Sequence, residues 1–223
     1  MTVEAAELET AILAVLGCSP EVAVAIAAHA VARDYPAQAA ILRYGDAWTY
    51  THLVMTGRAR ALVYGADGQM VLVHEYRPGD FFGAIGLADL HPAEADVIAV
   101  DPTRTACVPG TELVILVDRH GSLGLLLVRR LLEQLRATSG RMVERMTLSA
   151  PGRVYAEILR LARLGGGEVI RPAPVLAALA VRVQSTRETV SRAVNALERR
   201  GIVRREDDAL IIVAARRLEE LVI

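Results

Sequence analysis

The run Gln184–Val203, QSTRETVSRAVNALERRGIV, carries its apolar residues at helical spacing. Val190, Val194 and Leu197 recur every three or four positions with Ala193 on the same side, so one stripe faces inward. Arg187, Glu188, Ser191, Arg192 and Asn195 then face outward, a short polar helix face. Thr186 stands as N-cap, Ser185 with Glu188 offers a competing capping box, and Gly201 marks the end. Taken alone, the stretch reads equally well as an ordinary amphipathic helix.

The flanking residues break that tie. Pro174 can open a preceding helix whose buried side is Leu176, Leu179, Ala180 and Val183, and the connection at 184–186 is short enough for a helix-turn-helix. After Gly201, IVRRE, an acidic Asp207-Asp208 turn and ALIIV predict a hairpin wing. The run T-R-E-T-V-S-R at 186–192 resembles the recognition helix of bacterial CRP/FNR-type transcription regulators. The resemblance implies that Arg187, Glu188 and Arg192 read base edges in the major groove. The residue chemistry agrees, since arginine pairs bidentately with guanine O6 and N7 and glutamate accepts from cytosine N4. The same picture assigns Thr186, Thr189, Ser191 and the wing's Arg204 to the DNA backbone. Gln184 departs from the family, which commonly places glycine in this turn, and predicts either a strained φ or an altered turn.

Composition frames the reading. With 223 residues, 53% hydrophobic and 23% charged, the chain has globular values and room for about two domains. No apolar run approaches the roughly 18 residues of a membrane span, and no basic signal-peptide start is present, so no membrane partner is expected. Cys18 and Cys107 are too few for a disulfide framework and lack metal spacing, which favours the cytoplasm. Net charge is -1, yet 13 arginines stand against 9 acidic residues from Pro151 onward, and 12 against 17 before it. Phosphate-binding charge therefore concentrates in the C-terminal segment, where Arg199, Arg200, Arg204 and Arg205 flank the recognition helix and wing.

Residues 5–16 and 20–30 have helical periodicity, with Ser19-Pro20 as cap and first turn of the second segment. From Val31 the texture changes to short β-prone runs, and Gly65-Ala66-Asp67-Gly68 between two of them signals a hairpin. Such spacing predicts a barrel or jelly roll. Gly57, the Asp67-Gly68 turn and Pro78-Gly79-Asp80-Phe81-Phe82-Gly83 resemble the glycine landmarks of the cyclic-nucleotide-binding β-roll.

In that family a glutamate follows the last glycine of the P-G-D-x-x-G run and holds the ribose, while an Arg-Ser or Arg-Thr pair grips the cyclic phosphate. Here Ala84 follows Gly83, and Ala93 and Glu94 fall where the arginine and hydroxyl belong. The resemblance thus implies a degenerate pocket, an unknown small-molecule effector, and no cAMP bound in the usual way. Arg104-Thr105-Ala106 imitates the missing triplet but falls in the following strand. A β-roll also suits a cupin-like metal enzyme. Against it, no two of His29, His52, His74, His91 and His120 have cupin spacing, and no catalytic motif is present, so neither catalytic nor metal residues are assigned.

Residues 111–119 read as a short helix, and from Ser122 a long one begins. Val128, Leu132, Leu135, Ser139, Met142 and Met146 alternate by four and three, the seam of a two-stranded coiled coil, which predicts a homodimer. Thr138 and Ser139 match, by spacing, the helix pair that contacts the nucleotide base across the family's dimer. Ser149, Pro151 and Gly152 should break the helix and form a hinge. The expected fold is α+β: N-terminal helices and a double-stranded, jelly-roll-like β-roll sensor over 1–121, a dimerisation helix and hinge over 122–150, and a winged helix-turn-helix over 151–223. The expected partners are double-stranded DNA, a second copy of the chain and, by class, RNA polymerase. The alternative is a β-roll ligand sensor acting only through protein contacts.

Overall fold

The computed structural model describes residues 3–65, 70–85 and 92–222, with side chains from residue 5. Two compact units account for them, one within Met1–Tyr64 and Leu72–Thr138, the other within Gly65–Val71 and Ser139–Ile223. The turn expected at Asp67-Gly68, and His91, lie outside the described residues.

In the first unit, helices α1 (Val3–Leu16) and α2 (Pro20–His29) precede eight strands. Ser19 caps α2 as expected, its Oγ accepting from the Val22 N–H at 3.4 Å. The strands are β1 (Val31–Tyr35), β2 (Ala40–Leu42), β3 (Tyr50–Thr56), β4 (Ala59–Tyr64), β5 (Met70–Tyr76), β6 (Phe81–Gly83), β7 (Asp96–Ala99) and β8 (Thr103–Pro109). They form two four-stranded sheets, ordered β1-β8-β3-β6 and β2-β7-β4-β5. Alternation along β3 shows how the layers arise. Val54 packs with Ala59, Ala61, Phe82 and Val97 between the sheets. Leu53 and Met55 turn the other way, onto a core with Ile12 of α1 and Ile26 of α2. Helix α3 (Gly110–Arg119) adds Leu113 and Leu116 to that core, and the long helix α4 (Gly121–Thr147) adds Leu123 and Leu127. This is the predicted roll. Gly83 is obligatory at φ 106°, because a Cβ there would overlap the Tyr50 carbonyl oxygen.

The division between the units falls within α4, at Thr138 and Ser139, whereas the sequence reading treats 122–150 as its own segment. Beyond it lie α5 (Ala150–Leu164), β9 (Val169–Ile170), α6 (Leu176–Val183), α7 (Arg187–Arg199), β10 (Val203–Glu206), β11 (Ala209–Ile212) and α8 (Ala215–Glu219). Val154, Ile158, Leu179, Val183, Val190, Val194, Leu197 and Ile212 share one core. Strands β10 and β11 pair antiparallel about the Asp207-Asp208 turn, with β9 on the far side of β11. This is the predicted wing.

Two local expectations are corrected. Pro174 does not open α6, which starts at Leu176 after an extended Val175. The segment before it is drawn toward the wing, where the Ala173 N–H donates to the Asp208 carbonyl at 3.0 Å. The Ser185–Glu188 capping box does not form, because the Ser185 N–H closes the end of α6 on the Ala180 carbonyl at 3.0 Å and leaves Thr186 as N-cap. Ser149, Pro151 and Gly152 do follow the end of α4, but they build a helix start. Ser149 accepts from the Gly152 N–H at 3.2 Å and Pro151 occupies the first turn of α5.

Candidate nucleic-acid interface and effector pocket

Helix α7 buries Val190, Ala193, Val194 and Leu197, and so exposes Arg187, Glu188, Arg192 and Asn195 on the opposite side. Its start is fixed by Thr186, whose Oγ1 accepts from the Thr189 N–H at 3.2 Å. Thr189 Oγ1 in turn accepts from Arg192 Nη2 at 3.4 Å, steadying the guanidinium at the outer face. Backbone N–H groups at the helix start, then the Thr186 hydroxyl and the Arg187 and Arg192 charges, hold the Glu188 carboxyl below its ordinary value. Glu188 therefore stands as an ionised acceptor between two donors. Gly201 at φ 65° ends the helix as predicted.

The wing is tied to this helix. Arg205 donates to Asn195 Oδ1 at 2.7 Å and lies 3.7 Å from the Glu198 carboxylate. Arg204 projects at the exposed edge and pairs with Glu206 at 3.1 Å.

Between α6 and α7, Gln184 adopts φ 49°, ψ 63°, the left-handed region that glycine would occupy without strain. The first of the two alternatives raised by this departure is the one realised. Arg153 of α5 holds the turn. Its Nε donates to the Val183 carbonyl at 3.0 Å, Nη2 to the Gln184 carbonyl at 3.4 Å and Nη1 to the Leu148 carbonyl at 3.1 Å. Sequence reasoning missed Arg153 and the whole of α5. The signal was there in Val154, Ile158, Leu159 and Ala162, but Glu157 interrupts that stripe. Glu157 is 4% exposed and paired with Arg160 and Arg182.

In the roll, Gly83 ends β6 and Ala84 follows it. Ala84 is 1% exposed, its N–H donates to the Tyr50 carbonyl at 3.0 Å, and its carbonyl accepts from Thr51 Oγ1. Ala93, also buried, exchanges backbone hydrogen bonds of 2.8 Å with Asp46 and Gly45, while Glu94 is exposed. Residues 86–91, between the two, lie outside the described part. Thr138 and Ser139 are exposed on α4.

Arg104 and Thr105 lie on opposite faces of β8. Arg104 stands 3.7 Å from the exposed Asp34, and Thr105 is fully buried. Adjacent strand residues point to opposite faces, so Arg104 and Thr105 do not converge on one side of β8. Thr105 instead joins a buried polar group that sequence reading did not find. His52 Nδ1 lies 3.4 Å from Thr105 Oγ1 and 3.3 Å from Cys107 Sγ, and the imidazole stacks on Phe82 at 4.9 Å. Burial, and then the Arg33 charge, hold His52 down at about 4, so it is neutral. Burial pushes the Cys107 thiol up.

Among the described residues no group of three or more His, Cys, Asp or Glu side chains is placed to hold a metal, and no helix is long and apolar enough to cross a membrane.

A roll of two antiparallel sheets, a long helix and a winged helix-turn-helix together define a cyclic-nucleotide-binding-like sensor joined to a DNA-binding module. Comparison with known proteins agrees. Residues 32–120 match the cyclic nucleotide-binding domain family, and residues 152–221 match the Crp-like helix-turn-helix domain family. The cyclic AMP receptor protein of Thermus thermophilus is 29% identical over 92% of this chain and 94% of its own length. A CRP-like cAMP-activated global transcriptional regulator of Mycobacterium tuberculosis is 24% identical over 91% and 92%. Among solved structures, a CooA mutant from Carboxydothermus hydrogenoformans shares the fold with a TM-score of 0.79 at 18% identity, covering 95% of both chains. FixK2 from Bradyrhizobium japonicum does so with a TM-score of 0.74 at 22% identity, covering 86% of this chain and 96% of its own. The chain belongs to the CRP/FNR family of DNA-binding transcription regulators, a family of regulators and not of enzymes.

Proposed function

We propose that this protein is a homodimeric regulator that binds an inverted-repeat operator in the cytoplasm and responds to an effector other than cAMP. The observation that carries the reading is the outward face of α7, where Arg187, an ionised Glu188 and Arg192 stand exposed on a capped helix behind a fixed turn. Arg187 and Arg192 pair with guanines and Glu188 with a cytosine amine, while Thr186, Thr189, Ser191 and Arg204 hold the phosphates.

The dimer reading is supported by α4, on which Val128, Leu132, Leu135, Met142 and Met146 are 45–77% exposed in the single chain. An apolar row at heptad spacing needs a cover, and a second copy supplies the same row. Two-fold symmetry then sets the recognition helices about 34 Å apart, one helical turn of DNA. RNA polymerase is the further partner this class of protein addresses.

The effector reading rests on Ala84 and Ala93, which are buried and carry no group for a ribose or an anionic phosphate, and on Glu94, which adds negative charge. Gly83, Ala84, Ala93, Glu94, Thr138 and Ser139 thus form a degenerate version of the nucleotide site that the named relatives imply.

Fluorescence anisotropy on an inverted-repeat operator and on scrambled DNA tests the proposal. The wild type should prefer the operator without cAMP, and Arg187→Ala should lose about 1–3 kcal/mol of that preference. Arg204→Ala should weaken both duplexes alike. An equal loss on both for Arg187→Ala refutes the base contact, and micromolar cAMP binding by calorimetry refutes the pocket reading.

A further inference from the structure

Asn195 is exposed on the outer face of α7. It comes seven residues after Glu188, nearly two helical turns, and so stands on the same side of the helix, beyond Arg192. With Arg192, Glu198 and Arg199 it lines an open hollow on the surface. Along the axis the step from Glu188 is about 10 Å, or roughly three base pairs of B-form DNA.

The wing decides which way that amide points. Alternate residues of β10 share a face, and Val203 is buried in the core of the unit, so Arg205, two residues on, turns toward α7 while Arg204 turns away. Arg205 Nη2 donates to Asn195 Oδ1 at 2.7 Å, and its Nε stands 3.7 Å from the Glu198 carboxylate. A guanidinium has donors and no acceptor, so the amide atom facing it is the oxygen. That bond is charge-assisted and short, and it holds the amide against the reversed orientation. An unrestrained asparagine reads adenine with both amide atoms, accepting from N6 and donating to N7. Asn195 has its oxygen committed to the wing and is left as a donor.

We propose that Asn195 is a further base-reading residue, fixed by Arg205 as a hydrogen-bond donor, which selects guanine or thymine over adenine or cytosine. The first two present a carbonyl oxygen in the major groove, and the last two an amino group. Cytosine, with no acceptor at that edge, is the base most strongly rejected. Arg205 is on this account a positioning residue and not a phosphate contact. The proposal rests on α7 lying in the major groove.

The experiment selects duplexes with a randomised core on the full-length protein and sequences the bound fraction, for the wild type, Asn195→Ala, Arg205→Met and Arg187→Ala. Both new positions are exposed, so their changes leave the core intact. In each half-site the wild type should show one position, about three base pairs from the cytosine read by Glu188, where guanine and thymine outweigh cytosine by about three- to tenfold, the value of one hydrogen bond. Asn195→Ala should level that position alone. Arg205→Met frees the carbonyl, so adenine and cytosine should gain there while the rest of the motif stands. A motif that Arg187→Ala changes and Asn195→Ala does not, or an equal loss on every duplex for Asn195→Ala, overturns the base contact. An Arg205→Met motif identical to the wild type's overturns the positioning role. If Arg187→Ala also leaves the motif unchanged, the groove reading of α7 fails and this proposal falls with it.

Discussion

Replacing Gln184 by glycine should stabilise the DNA-binding unit. A residue with a Cβ held in the left-handed region costs about 1–2 kcal/mol, and Gln184 sits there at φ 49°, ψ 63°. Its Nε2 is buried without a hydrogen-bond partner, which adds on the order of 1 kcal/mol. Glycine removes both costs. Against this, glycine gains about 0.5–1 kcal/mol of freedom in the unfolded chain, and two half-buried methylenes are lost at roughly 0.8 kcal/mol together. The balance is a gain of about 1 kcal/mol. The hydrogen bonds that define the turn survive, because the Ser185 N–H to the Ala180 carbonyl, at 3.0 Å, and the Arg153 bonds all use backbone acceptors. Calorimetry should show the unit melting higher, at roughly 4–8 °C per kcal/mol for a domain of this size. Gln184→Ala removes the stranded amide but keeps the Cβ, so it should fall between the wild type and Gln184→Gly. If glycine destabilises, the glutamine side chain holds the turn and the strain argument is wrong. If alanine and glycine stabilise equally, the conformational part of the gain is wrong.

Two further outcomes follow from burial. Leu135→Asp should abolish the dimer while leaving the roll folded, since Leu135 is 61% exposed in the single chain and takes no part in its cores; a leucine buried at a seam is worth about 2–5 kcal/mol and an unpaired carboxylate there costs more. Sedimentation showing an intact dimer would remove α4 as the interface. Between about 4 and 6.5 the unfolded chain protonates His52 while the folded chain does not, so stability is full above 6.5 and falls by about 3 kcal/mol as pH drops through that window. Urea titrations across the window should show this slope in the wild type and its loss in His52→Phe; identical slopes would contradict a neutral, buried imidazole.

The recognition helix was legible because everything that specifies it is local: Thr186 caps three residues ahead, Val190, Val194 and Leu197 repeat at helical spacing, and Gly201 stops it. The wing was legible for the same reason. The polar group around His52 was not, because it depends on the register of β3 against β8, which sets His52 opposite Cys107 across 55 residues of chain. Nothing in either strand announces that partner. Helix α5 was lost through a different route. Glu157 reads as a solvent position but is buried, tolerated only because Arg182, from a helix 25 residues on, completes its pairing. At the effector pocket, Ala84 and Ala93 are informative only beside a family pattern, since an alanine carries no chemistry of its own.

All 25 basic residues being arginine bears on how α7 and the wing act together. Arg205 reaches from β10 to Asn195 Oδ1 at 2.7 Å and to Glu198 at 3.7 Å, two groups one turn apart on α7. A planar fork spans two such acceptors, whereas a lysine ammonium would meet one at a time. The wing is therefore joined to α7 through two of the helix's side chains. Arg204, the phosphate donor of the proposed reading, starts paired with Glu206 at 3.1 Å with 63% of its side chain exposed. An exposed pair is worth only about 0–1 kcal/mol, so a phosphate readily displaces the carboxylate. On the proposed reading the wing contact would fix where α7 lies in the groove, while Arg187, Glu188 and Arg192 would select the sequence held there.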